Sequence, residues 1–198
     1  SYSSRSVVMG GSAIVGTAKK LLDAIGDAAA RHFGCDRDSV AVTGTQVIGP
    51  GEKVLTLSEF AADHGPFSAE DSFSSNTRTY SYGAHAAHVA LDPRTGHVEV
   101  VDYVAVEDVG RIVNPHTLHG QTLGAIVQGL GGVLLEHLVY SEEGQLLTGS
   151  LADYLMPTAM EFPNVRVFAL EDYPSPNNPL GAKGAGEGGI IPVGGVIA

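Results

Sequence analysis

Hydrophobic positions along the chain change period several times, and each change marks an element. Over residues 12–33, Ile14, Ala18, Leu21, Leu22, Ile25, Ala28 and Ala29 recur at three- and four-residue steps. That spacing predicts an amphipathic helix, with Gly34 as its stop. Residues 40–48 alternate weakly and predict one strand. Pro50-Gly51 then turns the chain into a second strand over 53–57. Ser58 is placed to cap a short helix over 59–64, where Glu59 suits the positive end. Residues 66–79 are rich in Ser, Thr, Asn and charge, and predict a long loop.

Residues 80–91 and 97–109 form the clearest hairpin, joined by the turn-favouring Asp92-Pro-Arg-Thr-Gly96. In the second arm Val98, Val100, Asp102, Val104 and Val106 alternate with Glu99, Val101, Tyr103 and Ala105. Its first half alternates imperfectly, so both faces are expected to be partly covered. Asn114-Pro115 opens a helix expected to run to about His137, with Pro at a tolerated early position. A surface turn at 141–144, a strand at 165–170 and an irregular Pro-rich stretch at 173–180 follow. Hairpins mixed with helices predict an α+β fold, the helices layered on one face of a mixed sheet.

Composition narrows the function classes. The 198 residues suffice for one or two compact domains, and 43% apolar with 17% charged residues is ordinary for a globular enzyme. No apolar run reaches the ~18 residues of a membrane span. A net charge of −11 argues against nucleic acid, though not against an anionic ligand held by backbone N–H groups. The single cysteine, Cys35, excludes an internal disulfide and a Cys-only metal site. A start without Met and an apolar finish, where a buried helix ought to continue, suggest a piece cut from a longer chain.

The strongest chemical signal is Gly181-Ala-Lys-Gly-Ala-Gly-Glu-Gly-Gly189. Five glycines in nine residues suit close approach of a ligand or another backbone. The run is not a phosphate-binding Walker loop, because no Ser or Thr follows Lys183. Its one carboxylate, Glu187, is expected to be buried among glycines and shifted toward the range of a general base; a flexible loop with a solvated Glu accounts for the same residues. The helix after Asn114 carries Gly120, Gly124, Gly129, Gly131 and Gly132, with Gln121 and Gln128 on one face. Close packing or a polar ring system would explain it. Gly10, Gly11, Ser12 and Ala13 could present N–H groups to a phosphate, while plain N-capping by Ser12 explains them as well. His85-x-x-His88 falls on a strand, where a spacing of three divides the side chains between two faces. His116-x-x-His119 lacks a third ligand, so no protein-ligated metal is expected.

Taken in order, Ser4-Arg-Ser-Val-Val-Met-Gly-Gly-Ser-Ala13, Val106-Glu-Asp-Val-Gly-Arg-Ile-Val-Asn-Pro115, Gly120-Gln121, Gln128-Gly129-Leu-Gly131 and Lys183-Gly-Ala-Gly-Glu-Gly-Gly189 resemble the molybdenum-binding large subunit of the xanthine oxidase family. That family includes aldehyde oxidases and aerobic carbon monoxide dehydrogenases. The resemblance implies that residues 1–198 are a C-terminal portion of a molybdenum-cofactor-binding domain. It implies a molybdenum–pterin cofactor, in bacteria often the cytosine dinucleotide. Gly10, Gly11, Ser12 and Ala13 would hold its phosphates, Gln121 its pterin, and Lys183, Ala185 and Gly186 would lie against it. Glu187 matches the general base at the molybdenum-bound hydroxyl in hydroxylation of an aldehyde, N-heterocycle or similar electron-poor carbon. The expected partners are the rest of the molybdenum subunit, iron–sulfur and FAD domains or subunits, and a small-molecule substrate, in the cytoplasm. The isolated piece is expected to be inactive and to hold no cofactor. The alternatives are a non-catalytic module for an anionic nucleotide and a packing module.

Overall fold

The computed structural model describes residues 3–162 and 164–198. The chain divides into two compact units, Met9–Ser75 and Ser1–Val8 with Asn76–Ala198.

In the Met9–Ser75 unit, helix α1 (Gly11–Phe33) follows a π-helical turn at Ser6–Gly10 and stops at Gly34, whose φ of 67° only glycine adopts cheaply. Its buried face, Ile25, Ala28, Ala29 and Ala30, packs with Val40, Val47 and Phe60. The strand expected over 40–48 is instead two strands, β1 (Ala41–Val42) and β2 (Gln46–Gly49). Thr43 reverses the chain by accepting from Gln46, and the short Thr-Gly-Thr link hides the turn within one weak alternation. Strand β3 (Lys53–Thr56) completes an antiparallel sheet in the order β1-β2-β3. Helix α2 is Leu57–His64, and its cap is Thr56, not Ser58. Thr56 accepts from the Glu59 amide and Glu59 accepts from the Thr56 amide, a reciprocal box that Ser58 could not form.

In the larger unit, β4 (Tyr82–Leu91) pairs antiparallel with β5 (Val98–Asp108), and β6 (Val165–Leu170) lies parallel to β5. The sheet is therefore mixed, in the order β4-β5-β6. His88 pairs with Asp102 and Val89 with Val100, so Val101 is an extra residue in a β-bulge. The bulge reverses the faces of β5. Val100 is buried before it, whereas Tyr103, Ala105 and Glu107 are buried after it, and simple alternation through the arm fails.

Helix α3 (Pro115–Leu134) starts at Asn114, whose side chain accepts from the Thr117 amide. It ends three residues short of His137, where the Glu136 amide closes back on the Gly131 carbonyl and the Glu136 carboxylate accepts from Tyr154. Ile126 and Leu130 of α3 and Val193 of α4 (Val193–Ile197) pack on Val100, Tyr103 and Ala105. Burying each of these large aliphatic side chains contributes roughly 1.5–3 kcal/mol. Both helices thus sit on one face, as expected for this fold class. Among the described residues, no helix is long and apolar enough to cross a membrane.

Candidate functional site

The end of β5 organises the site. Gly110, with φ 65°, turns the chain after Val109, and the strip beginning at Gly181 returns alongside it. Gly110 bridges Ala182, the Lys183 amide donates to the Val109 carbonyl at 2.9 Å, and the Arg111 amide donates to the Gly181 carbonyl at 2.9 Å. Asn178 locks Ala182 from the side, accepting its N–H at 3.1 Å and donating to its carbonyl at 2.8 Å.

Charge secures the same end. The Lys183 ammonium meets Asp108 at 2.7 Å, with side chains 8% and 1% exposed, and lies 4.6 Å above the centre of the Tyr82 ring. Asp108 also accepts from the amides of Gly110 and Tyr173. Burial alone would raise the Asp108 carboxyl, but Lys183 and these amides outweigh it and hold it below the usual carboxylate range. Lys183 therefore spends its charge on Asp108 and offers the cleft its backbone and stem.

Beyond Lys183 the strip is less covered. The Ala185 amide donates to Ser4 Oγ at 3.0 Å, and Gln121 Nε2 donates to the Gly186 carbonyl at 3.4 Å. A Cβ on Gly184 or Gly186 would find no atom nearer than 3.9 Å. After Glu187 the packing closes again: Gly188 faces the Glu107 carboxylate and Gly189 lies on the α3 backbone at Thr122. The Ile190 and Ile191 amides donate to the Glu187 carbonyl, turning the chain into α4.

These segments enclose a cleft of about 490 Å³, lined among others by Ser4, Arg111, Thr117, Gln121, Gly186 and Glu187. Four of the expected site residues, Lys183, Ala185, Gly186 and Glu187, and Gln121 with them, come together there. Gly10, Gly11, Ser12 and Ala13 belong to the other unit. Ser12 does not cap α1. The helix begins upstream with Gly10 already helical, and the Ser12 hydroxyl is buried without a partner among the described residues. Glu187 is exposed, contrary to the burial expected of it, because its glycine neighbours have no side chains to cover it. Gln121 and Gln128 are exposed together on one face of α3.

Sequence reasoning left Ser4, Arg111 and Thr117 without a role, although all three lie in or beside the quoted motifs. His85 was weighed only as a metal ligand. Its side chain is instead buried against Tyr103 and Glu107. Its strand position placed it on one face but could not say which face the bulge turns inward.

Known proteins share this architecture. A family model described as molybdopterin cofactor-binding domain matches residues 1–163. The chain is 38% identical, over all of its length, to 26% of the 6-hydroxypseudooxynicotine dehydrogenase complex subunit gamma of Paenarthrobacter nicotinovorans. It is 30% identical, over 94% of its length, to 24% of the carbon monoxide dehydrogenase large chain of Hydrogenophaga pseudoflava. The crystal structure of quinoline 2-oxidoreductase from Pseudomonas putida 86 superposes on the whole chain with a TM-score of 0.86 at 31% identity, using 27% of that chain. The chain spans about a quarter of the length of these relatives. Fold and cleft together define an α+β cofactor-binding module. The chain belongs to the molybdopterin cofactor-binding domain family, among the molybdenum-binding large subunits of the xanthine oxidase family.

Proposed function

We propose that this chain supplies one wall of the active site of a molybdenum hydroxylase, with Glu187 as general base. The observation that carries the reading is Glu187 itself. It projects, exposed and with no side-chain hydrogen bond among the described residues, from a strip whose glycines leave their surface open beside Gln121.

The residues present fit a molybdenum–pterin group. The cleft combines an apolar lining from Val7, Val109, Ile112 and Leu118 with the polar side chains of Ser4, Arg111, Thr117 and Gln121, and this mixture suits a planar organic ligand that carries polar and anionic groups. Gln121 would hold the pterin, with Ala185, Gly186 and the Lys183 backbone against it. By the resemblance, Gly10, Gly11, Ser12 and Ala13 of the Met9–Ser75 unit would serve the phosphates of a cytosine dinucleotide form. When bound, the cofactor supplies the acceptor for the two electrons and activates water. Glu187 would take the proton of the water-derived oxygen as that oxygen bonds to the substrate carbon, whose C–H bond breaks with its electron pair passing to the acceptor, and the open glycines would let both reactants approach. Asp108 and Asn178 hold the start of the strip, so the base does not drift from its target.

The substrate class is an aldehyde, an N-heterocycle or a similar electron-poor carbon; relatives named for 6-hydroxypseudooxynicotine, quinoline and carbon monoxide support no narrower choice. Electrons would leave through iron–sulfur and FAD partners in the cytoplasm. Glu187→Gln in the complete molybdenum subunit tests the reading. Molybdenum content should be retained, and turnover should fall by at least about 10²-fold, the scale of general-base catalysis. Unchanged turnover would leave a non-catalytic binding module.

A further inference from the structure

Two successive acidic residues end β5 and lie at opposite ends of the glycine strip. Asp108 takes Lys183 at its start, while Glu107 lies against Gly188 near its finish. Nothing in the proposed chemistry uses Glu107. It is 4% exposed, with Oε1 3.1 Å from His85 Nε2, and Oε2 has no partner among the described residues. The His85 side chain is itself 1% exposed, and its Nδ1 lies 2.9 Å from the Tyr103 hydroxyl. Burial and the Glu107 charge push the Tyr103 phenol up to about 12, so it keeps its proton at neutral pH. The arrangement that uses each proton once has Tyr103 O–H donating to His85 Nδ1 and His85 Nε2–H donating to Glu107.

The surroundings of this carboxylate are cut to its shape. A Cβ on Gly83 of β4 would run into the Val106 carbonyl and lie 3.1 Å from Glu107 Cγ. A Cβ on Gly188 would lie 2.8 Å from Glu107 Oε2 and 3.1 Å from Oε1 and Cδ. A free surface glutamate would swing aside from such a contact. Glu107 cannot do so cheaply, because leaving would strand the buried His85 N–H. We infer that Glu107 is a positioning residue for Glu187: anchored by His85, its carboxylate fills the space beside Gly188 and sets the course of the chain through the residue before it. The inference rests on reading Glu187 as the base.

The test uses the complete molybdenum subunit and two readouts, steady-state kinetics and amide hydrogen exchange of peptides covering residues 184–190. Glu107→Ala should lower kcat by roughly 10- to 100-fold, the cost of misplacing a catalytic group by about an ångström, with KM and molybdenum content unchanged. Exchange across 184–190 should quicken while that of α3 stays the same. Glu107→Gln keeps the shape and an acceptor for His85, and should restore both readouts. Gly188→Ala should also lose turnover, and combining it with Glu107→Asp, one methylene shorter, should recover part of the loss. Unchanged loop exchange in Glu107→Ala overturns the inference. So does a Glu107→Gln variant as impaired as Glu107→Ala, or a double variant whose losses simply add. Should Glu107→Ala lose its molybdenum, the Gln and double variants carry the decision. Turnover retained in Glu187→Gln would instead sink the base reading, and a quickened loop in Glu107→Ala would then show that the contact stands without a catalytic purpose.

Discussion

The chain has two glycine-rich segments, helix α3 and the strip at 181–189, and in both the glycines fall into two kinds. In α3, a Cβ on Gly129 would lie 2.7 Å from Val193, and one on Gly131 would lie 2.8 Å from Pro157. Gly120, Gly124 and Gly132 have nothing within 4 Å. In the strip, Gly188 and Gly189 are packed, whereas Gly184 and Gly186 are open. The packed glycines are explained by neighbours within the chain. The open ones in α3 cost helix stability of about 1 kcal/mol each against Ala. Glycine content alone cannot separate the kinds. What surrounds each Cβ position can, and the open ones are the places where an approach from outside this chain can be tested.

The largest expected effect comes from releasing the strip at its anchored end. Asp108→Asn leaves the Lys183 ammonium buried without its anion, and breaking such a pair costs about 3–5 kcal/mol. The sign of its pH dependence is fixed. The folded carboxyl sits below its unfolded value, so its stabilisation is complete above that value, about 3.9, and is lost as pH falls through the folded one. Thermal unfolding between pH 2 and 7 should show a wide gap between wild type and variant near neutrality that narrows below about pH 4. No gap would mean that the strip is held without the ion pair, and a constant gap would mean that the loss does not come from the carboxylate's charge.

Substitution at packed glycines should cost less. A Cβ on Gly189 meets the Thr122 carbonyl at 2.6 Å and Ala125 at 3.0 Å, and helix backbone cannot give way. Gly189→Ala is expected to lose roughly 2–3 kcal/mol by overpacking. Gly129→Ala meets the Val193 and Ile190 side chains first and gains helix propensity, so a net loss of about 1 kcal/mol is expected. Equilibrium denaturation orders the two, and a reversed order would break the distinction between backbone and side-chain contacts.

How far the sequence carries the reader follows the range of the interactions. α1, the β4–β5 hairpin and α3 are legible because period, turn residues and caps are local. The β1–β2 turn was not, since three residues interrupt the pattern too briefly, and the cap of α2 was misplaced although Thr56 and Glu59 already have the spacing of a capping box. Within the site, Glu187 and Gln121 were legible through the family motifs. The contacts around the strip join residues far apart in the chain: Lys183 to Asp108, Ser4 to Ala185, Gln121 to Gly186, His85 to Glu107. Periodicity carries no information at such separations, and the bulge at Val101 reverses the one face it did suggest.

The smallest expected effect on stability gives the sharpest test of the contrast. Gly124 stands three residues after Gln121 and four before Gln128, on the exposed face of α3, with open space at its Cβ position. In the chain alone, Gly124→Ala should stabilise by about 0.5–1 kcal/mol, the gain from replacing glycine in a helix interior. If the open face exists to receive the cofactor or the rest of the subunit, the same methyl group intrudes there. The complete subunit should then lose molybdenum content or assembly while its isolated segment becomes more stable. Opposite signs in the two settings would show that the glycine is kept for an approach from outside. Stabilisation in both settings, with full molybdenum content in the complete subunit, would show that this face meets nothing, and that an open glycine in α3 is no guide to the site.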